Sequence, residues 1–277
     1  MKNFSELLGR LLLVPISWVP LSRLYGRIMR LRRPRWLSLW MIRRFQKSYR
    51  IDMAEFRGKP EDYSSLAEFF LRPFNPAKRP LRGDEKFLLA PADGRVSEIE
   101  LIHEDRATQV KGKTYPLGRF LGATIDFSQG WHLATIYLSP SNYHRYHFPV
   151  SGRISGCFHG GTRLFPVNAF SCSRVRQLYV KNERLVTRIE FPGGPLYVVA
   201  VGATFVGSIA MTYLPAGLPA KNEWQEIDIP VSQMAEMGHF AMGSTIVMLL
   251  PAGRVEKVLV QKGEVVRVGQ PLFKIKS

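Results

Sequence analysis

The stretch TIVMLLPAGRVEKVLVQKGEVVRVGQPL, residues 245–272, decides which class of fold the chain adopts. Its apolar runs are rich in Val, Ile and Leu, and Gly or Pro separates each run from the next. β-Branched residues are enriched in strands, whereas Gly and Pro mark the turns between strands. The stretch therefore predicts consecutive short strands connected by tight turns.

The same pattern extends from this stretch towards the N-terminus. The predicted strands are Gly94–Leu101, Leu133–Leu138, Gly152–Phe158, Leu185–Phe191, Leu196–Val201, Thr204–Met211, Thr245–Leu250 and Val255–Lys262. Many short strands with glycine turns are typical of a β-sandwich or barrel. Residues 262–272 resemble half of a biotinyl/lipoyl-type hammerhead barrel, but they contain no lysine in the Met-Lys-Met or Asp-Lys context of a carrier domain. We therefore expect hammerhead or barrel-like sheets without a carrier function.

The N-terminal 50 residues differ from the rest in charge and in periodicity. They hold twelve basic side chains and one acid, and so contribute +11 of the net charge of +17. They also hold three of the five tryptophans. Apolar residues recur at helical spacing near the start, and Pro15, Pro20 and Pro34 interrupt the segment. The pattern predicts two or three short amphipathic helices.

A basic, aromatic and amphipathic segment favours the surface of an anionic membrane as its partner. The longest uncharged run, Leu11–Ser22, has twelve residues, whereas a spanning helix needs about 20. No cleavage site of a secretory signal follows that run. An alternative is that the helices pack on the body of the protein with their arginines in solvent. Nucleic acid is not the expected partner, because no recognised nucleic-acid-binding motif accompanies the charge.

The predicted organisation is α+β with three parts. Residues 1–50 are basic membrane-association helices, residues 51–87 are a connector with a short helix at Ser64–Leu71, and residues 88–277 are a β-rich catalytic domain. Cys157 and Cys172 show neither CxxC nor zinc-type spacing. We expect two reduced, buried thiols, which fits the cytoplasmic side of a membrane.

Three short motifs in the β region carry chemistry. They are Pro91-Ala92-Asp93-Gly94, Tyr143-His144-Arg145-Tyr146-His147 and Met242-Gly243-Ser244-Thr245. An Asp-Gly pair most often makes a turn, and Gly-Ser-Thr most often starts a strand. His-x-x-His occurs in metal sites, but no further ligand cluster lies nearby, so no metal site is predicted. Together, Asp, His and Ser are the components of an activated nucleophile.

The glycine before Ser244 indicates what this serine attacks. The Gly-x-Ser-x-Gly context of hydrolase elbows is absent. Gly243 leaves its own carbonyl sterically open and permits unusual backbone angles. These properties suit an attack by Ser244 Oγ on the preceding peptide bond.

Five motifs, in order along the chain, resemble those of the membrane-associated bacterial phosphatidylserine decarboxylases. They are Pro-Ala-Asp-Gly, Tyr-Leu-Ser-Pro-x-x-Tyr-His-Arg-x-His from Tyr137 to His147, Leu-Phe-x-Val-Asn from Leu164 to Asn168, Val-Gly-Ala-Thr-x-Val-Gly-Ser-Ile from Val201 to Ile209, and Gly-Ser-Thr. Met242 stands where the family typically has Leu, and the two side chains are similar in volume.

The resemblance implies a zymogen that cleaves itself. His147, oriented by Asp93, would take the proton of Ser244, whose Oγ attacks Gly243 in an N→O acyl shift. Cleavage between Gly243 and Ser244 would give a large chain, 1–243, and a small chain, 244–277. Ser244 would become a pyruvoyl group, which forms a Schiff base with the serine amine of the lipid and serves as the electron sink.

The resemblance also implies the substrate and the partners. The reaction is the conversion of phosphatidylserine to phosphatidylethanolamine and carbon dioxide, a step of phospholipid biosynthesis, with His144 as the general acid. The loop that contains Phe165, Val167 and Asn168 would lie near the active site and contact lipid. A homodimer, bound peripherally to the cytoplasmic side of the cell membrane, is expected.

Two other functions fit the same residues. A serine hydrolase or a self-processing protease could use Asp93, His147 and Ser244 on a second molecule, and a non-enzymatic barrel could simply bind membranes. His144 could also shape its loop without taking part in the chemistry.

Overall fold

Strands form most of the architecture of the β-rich part of the chain. The computed structural model describes residues 26–110, 113–203, 209–240 and 244–276. The strands are β1 (Phe87–Leu89), β2 (Gly94–Ile102), β3 (Ala107–Val110), β4 (Lys113–Tyr115), β5 (Trp131–Leu138), β6 (Arg145–His147), β7 (Gly152–Gly160), β8 (Arg184–Phe191), β9 (Gly194–Val201), β10 (Ile209–Met211), β11 (Trp224–Val231), β12 (Glu236–Phe240), β13 (Ser244–Pro251), β14 (Val255–Val258), β15 (Val265–Val266) and β16 (Pro271–Ile275). The helices are α1 (Arg35–Tyr49), α2 (Leu66–Phe70), α3 (Leu117–Leu121), α4 (Ala169–Arg174) and α5 (Leu178–Lys181), with 3₁₀ turns at Pro60–Asp62 and Ala252–Arg254. The predicted α+β class is confirmed.

The main sheet has eight antiparallel strands in the order β11-β7-β8-β9-β13-β5-β2-β15. Two three-stranded sheets, β10-β12-β6 and β1-β16-β14, and the β3-β4 hairpin complete the set. Within the described strands, β11 and β15 form the two edges of the main sheet. Among the described strands the main sheet is therefore open.

Strand β13 lies at the centre of the main sheet, between β9 and β5. Its side chains alternate between two apolar cores, one on each face of the sheet. Ile246 and Met248 belong to the core that also contains Phe240, whereas Val247 and Leu249 belong to the other core. Because both faces are covered, the strand has a continuous apolar sequence instead of an alternating one.

Most predicted elements appear within two residues of their expected bounds. Seven of the eight predicted runs coincide closely or in part with β2, β5, β7, β8, β9, β13 and β14, although β14 ends at Val258 instead of Lys262. The eighth, Thr204–Met211, is represented by β10, and residues 204–208 lie outside the described part. The predicted helix Ser64–Leu71 is α2, where the Ser65 side chain accepts a hydrogen bond from the Glu68 N–H at 3.2 Å. Cys157 and Cys172 are buried and free, as predicted.

Helix α1 begins after Pro34, one of the prolines expected to interrupt the N-terminal segment. Its inner face packs against the connector, where Phe45 meets Phe69 with ring centroids 6.4 Å apart. Trp36 and Trp40 on its outer face are 70% and 59% exposed. The helices predicted before residue 26 lie outside the described residues. No helix in the described part of the chain is long and apolar enough to cross a bilayer.

Candidate active site

Ser244 is the first residue of β13 and lies at one end of the main sheet. It faces Leu138, the last residue of β5, across the ladder. The side chain of Ser244 is fully buried, and its Oγ has no hydrogen-bond partner in the described part of the chain. Gly243, the other half of the predicted cleavage site, lies outside the described residues. The position puts Ser244 next to the segment that carries both motif histidines, because that segment follows Leu138 directly.

In the small sheet β10-β12-β6, the segment that contains the two histidines lies against β12, the strand that precedes Ser244 in the sequence. His147 is in β6 and pairs with Glu236 of β12. At the other end of β12, the Phe240 N–H donates to the carbonyl of His144 at 2.9 Å. Only residues 241–243 separate Phe240 from Ser244. Alternation along β13 directs Ser244 to the same face as Ile246, the face on which Phe240 packs.

The surroundings of His147 fix its tautomer. Its Nδ1 lies 2.8 Å from the carbonyl oxygen of Met234, so this nitrogen carries the proton and donates. The Tyr143 hydroxyl lies 3.0 Å from Nε2 and donates to it. Burial lowers the pKa of His147 below its ordinary value of 6.5. At neutral pH His147 is therefore a neutral imidazole whose basic nitrogen is Nε2.

The Asp93 carboxylate forms its hydrogen bonds in the described structure with groups other than His147. It accepts two hydrogen bonds from the Arg79 guanidinium, at 2.8 and 2.5 Å, and a third from the Val268 N–H at 2.8 Å. The planar guanidinium matches both carboxylate oxygens, and Met234 already satisfies His147 Nδ1. The connection to His147 passes through the backbone, since the His147 N–H donates to the Pro91 carbonyl at 2.8 Å. Asp93 thus anchors the loop that supports His147.

His144 is fully buried beneath an aromatic ring. Its ring centroid is 3.9 Å from that of Phe70. Its Nδ1 donates to the Asn142 carbonyl at 2.9 Å, and its Nε2 has no partner in the described residues. Burial lowers the pKa of His144 to about 3. The side chain is neutral at pH 7, and its Nε2 carries a lone pair instead of a proton.

The three residues predicted to contact lipid have different surroundings. Val167 is buried in the second core, and Asn168 caps α4 by accepting from the Ser171 N–H at 2.9 Å. Phe165 is half-buried and exchanges two backbone hydrogen bonds with the Asn182 side chain, at 2.9 and 2.8 Å. Asn182 also donates to the Gly202 carbonyl, just after the end of β9. Of the three, Phe165 is the one linked to the Ser244 end of the sheet.

The motifs did not identify two residues that define this site. Tyr143 belongs to the histidine motif, but nothing in the sequence shows that its hydroxyl contacts His147. Arg79 belongs to the predicted connector, and its side chain is 10% exposed, below the loop of Asp93. Arg79 also lies 4.0 Å from the ring centroid of Phe74 and 3.6 Å from a carboxylate oxygen of Glu55. A basic residue in a connector carries no sequence signal that would distinguish it from a solvated one.

A buried serine begins a central strand, and the preceding strand, β12, hydrogen-bonds to the segment of two neutral buried histidines. This arrangement is that of a β-rich enzyme with an internal nucleophile. Comparison with known proteins gives the family. A sequence model described as phosphatidylserine decarboxylase matches residues 66–274, and the chain belongs to that family.

Curated relatives agree with this assignment over most of the chain. A "Phosphatidylserine decarboxylase proenzyme" of Anaeromyxobacter sp. (strain K) is 40% identical over 263 residues, covering 91% of this chain and 93% of the relative. A protein of the same description from Acidovorax ebreus (strain TPSY) is 37% identical, covering 79% of this chain and 81% of the relative. Another, from Brevibacillus brevis, is 36% identical, covering 83% of this chain and 86% of the relative. The resemblance drawn from the five motifs is confirmed.

Proposed function

We propose that this protein decarboxylates phosphatidylserine to phosphatidylethanolamine with a pyruvoyl group that it makes from Ser244. The observation that carries the proposal is the place of Ser244. It is a buried serine with no hydrogen-bond partner in the described structure, and the last residue of the preceding strand β12, Phe240, donates its N–H to the His144 carbonyl. Family membership supports both the decarboxylation and the synthesis of the chain as a proenzyme.

The first chemical step is cleavage of the chain. His147 Nε2 exchanges its hydrogen bond from Tyr143 for one from Ser244 and takes the Oγ proton. The Ser244 oxygen bonds to the Gly243 carbonyl carbon, the peptide C–N bond breaks, and the freed Ser244 amine takes up the proton. Removal of the Ser244 α-proton then expels the carboxylate of Gly243. The remaining dehydroalanine tautomerises to an imine, and water replaces its nitrogen as ammonia.

Position 244 fits the pyruvoyl group that results. The cleavage frees the N-terminus of β13, while the ladders to β5 and β9 keep position 244 buried at the end of the sheet. The carbonyl of such a group serves as the electron sink for decarboxylation. His144 Nε2 holds a lone pair, and a substrate carboxylate beside it would raise its proton affinity, so that it takes a proton as the Schiff base forms and returns it to the α-carbon after carbon dioxide leaves. His144 thus acts as a general acid only after it has acted as a base.

The N-terminal segment supports a peripheral position on an anionic membrane, on the cytoplasmic side, as the place of this reaction. Residues 26–50 contain nine basic side chains and no acid. On α1, Trp36 and Trp40 border a groove of about 390 Å³ that Arg43, Arg44 and Lys47 complete. Aromatic rings with a basic rim suit the interface between headgroups and acyl chains. The division into parts 1–50, 51–87 and 88–277 and a homodimeric assembly belong to the same proposal.

Cleavage and decarboxylation can be tested separately. The wild-type chain of 31.6 kDa should separate into chains 1–243 and 244–277, the latter with a carbonyl-bearing N-terminus by mass spectrometry. Ser244→Ala should remain one chain. His144→Ala should cleave but release no carbon dioxide from phosphatidylserine in mixed micelles. A Ser244→Ala chain that still gives two fragments would overturn the proposal, and an intact wild-type chain that reacts with a fluorophosphonate would favour the hydrolase.

A further inference from the structure

A basic cleft of about 730 Å³ opens at the Ser244 end of the main sheet. Its lining includes Arg119, Arg163, Lys181 and Arg184, together with Phe165, and no aspartate or glutamate. Arg119, Arg163 and Lys181 are exposed at the surface of the cleft, whereas Arg184 lies beneath it and is 3% exposed. The cleft thus concentrates positive charge without an acidic residue in its wall.

The charges in the cleft have no counter-ion in the described part of the chain, where none of the four side chains forms an ion pair. Arg184 donates only to backbone carbonyls, among them those of Phe120 at 2.6 Å and Arg119 at 2.7 Å. These neutral acceptors hold the guanidinium in place but leave its charge uncompensated. Burial lowers the pKa of Arg184 to about 10, so the group stays charged at neutral pH. A buried cation without a partner creates a field that favours an anion nearby.

The cleft and Ser244 occupy opposite faces of the same end of the sheet. Arg184 pairs with Val201, and Val201 pairs with Thr245, so the three residues form one row across β8, β9 and β13. At about 4.8 Å per strand, Arg184 and Thr245 are roughly 10 Å apart. Thr245 shares the face of Val247, whereas the next residue along β13, Ser244, points to the other face. The cleft is therefore separate from the site of the two histidines.

We propose that this cleft binds the phosphate of a second anionic phospholipid, distinct from the lipid that is decarboxylated. In phosphatidylserine only two carbon atoms separate the amine from the phosphate oxygen, so a lipid whose amine reaches position 244 does not extend its own phosphate around the sheet. A phosphodiester carries one negative charge and accepts hydrogen bonds from several cations at once. Helix α1 lies near the same end, because Phe45 contacts Phe70, the ring that covers His144. The choice of a lipid rests on the proposed membrane function, whereas the charge of the cleft does not.

The test compares two variants with equal loss of charge. The cleft variant is Arg119→Gln, Arg163→Gln, Lys181→Gln, three exposed side chains that donate no hydrogen bond in the described structure. The control variant is Arg254→Gln, Lys257→Gln, Lys276→Gln, three exposed residues near the opposite end of β13 or on the β14-β16 sheet. Binding is measured by sedimentation with vesicles of 30% phosphatidylglycerol in phosphatidylcholine. The cleft variant should bind roughly ten-fold more weakly than the control variant.

Further arms separate the possible ligands. Binding to phosphatidylglycerol requires no turnover, so it is also measured with the uncleaved Ser244→Ala chain, and its result is independent of whether the decarboxylase proposal holds. Millimolar inorganic phosphate should compete poorly, because it lacks the membrane contacts of α1; strong competition would assign the cleft to free phosphate and overturn the lipid. Equal binding of the two variants would overturn the site. A raised KM of the cleft variant for monomeric short-chain phosphatidylserine, with kcat unchanged, would instead assign the cleft to the phosphate of the substrate.

Discussion

Two histidines separated by two residues have different chemistry because their ring nitrogens meet different atoms. Both donate from Nδ1 to a backbone carbonyl, that of Asn142 for His144 and that of Met234 for His147. The Nε2 of His147 accepts from the Tyr143 hydroxyl, whereas the Nε2 of His144 has no partner in the described residues. In the proposed mechanism His147 is therefore a base whose hydrogen bond from Tyr143 can be replaced, and His144 offers its free Nε2 lone pair to the substrate.

The pH dependence of self-cleavage tests the role of His147. The base must be neutral, and burial lowers its pKa below 6.5. The rate of cleavage should therefore be constant above about pH 6.5 and should fall as the pH decreases through the lowered pKa and the imidazole is protonated. The measurement is the fraction of cleaved chain over time on a denaturing gel, after synthesis in a cell-free mixture at each pH. An inflection above pH 7 would contradict the assignment of His147 as the base.

At the scale of elements, the sequence predicted the strands that have a repeated apolar pattern. It missed contacts that depend on a single residue distant in the chain. Strands β5 and β13 are mostly apolar because both of their faces are buried, and such strands are visible in the sequence. Strand β11 was missed because it is an edge strand with mostly half-exposed or exposed residues and no apolar run. Ser244 and the histidines were found by their motifs. The partner of Asp93 could not be found, because Arg79 is one of 39 basic residues and only the fold brings it to that carboxylate.

The Arg79–Asp93 pair joins the connector to the loop that supports His147, and it provides the second prediction. Arg79→Gln leaves the Asp93 carboxylate, which is 14% exposed, without its bidentate partner. We expect the free energy of unfolding to fall by about 2–4 kcal/mol in a Ser244→Ala background, measured by urea denaturation. In the Ser244 background, cleavage should slow although Arg79 touches neither histidine in the described structure.

A surface pair gives the matched control for this prediction. Arg153→Gln removes a cation from an ion pair with Asp228 in which both side chains are more than half exposed, and it should cost less than about 1 kcal/mol. If Arg79→Gln cleaved as fast as the wild type, Asp93 would support His147 without Arg79, and the loop-anchoring role would be wrong.

At the scale of the whole molecule, the position of the charge matters more than its sum. Of the net +17, +11 lies in residues 1–50, and the basic cleft lies at the Ser244 end of the main sheet. In the proposed membrane association, such a positive surface attracts anionic lipid through a field that salt screens, whereas Trp36 and Trp40 would bury apolar area, a contribution that salt does not weaken. The two contributions to membrane binding can therefore be separated by ionic strength.

Raising the ionic strength from 0.1 to 1 M shortens the screening length from about 10 to about 3 Å. Wild-type binding to phosphatidylglycerol-containing vesicles should weaken but persist, because the two indole rings remain inserted. The variant Trp36→Ser, Trp40→Ser removes rings that are 70% and 59% exposed. Each ring would bury roughly 100 Å² in the membrane. Binding of this variant should therefore fall at least about ten-fold at low salt and vanish at high salt. Leu101→Ser, Leu259→Ser, which removes two other exposed apolar side chains, should bind as the wild type does. If the tryptophan variant matched this control at both salt concentrations, α1 would not be the inserted element, and the charge alone would hold the protein at the surface.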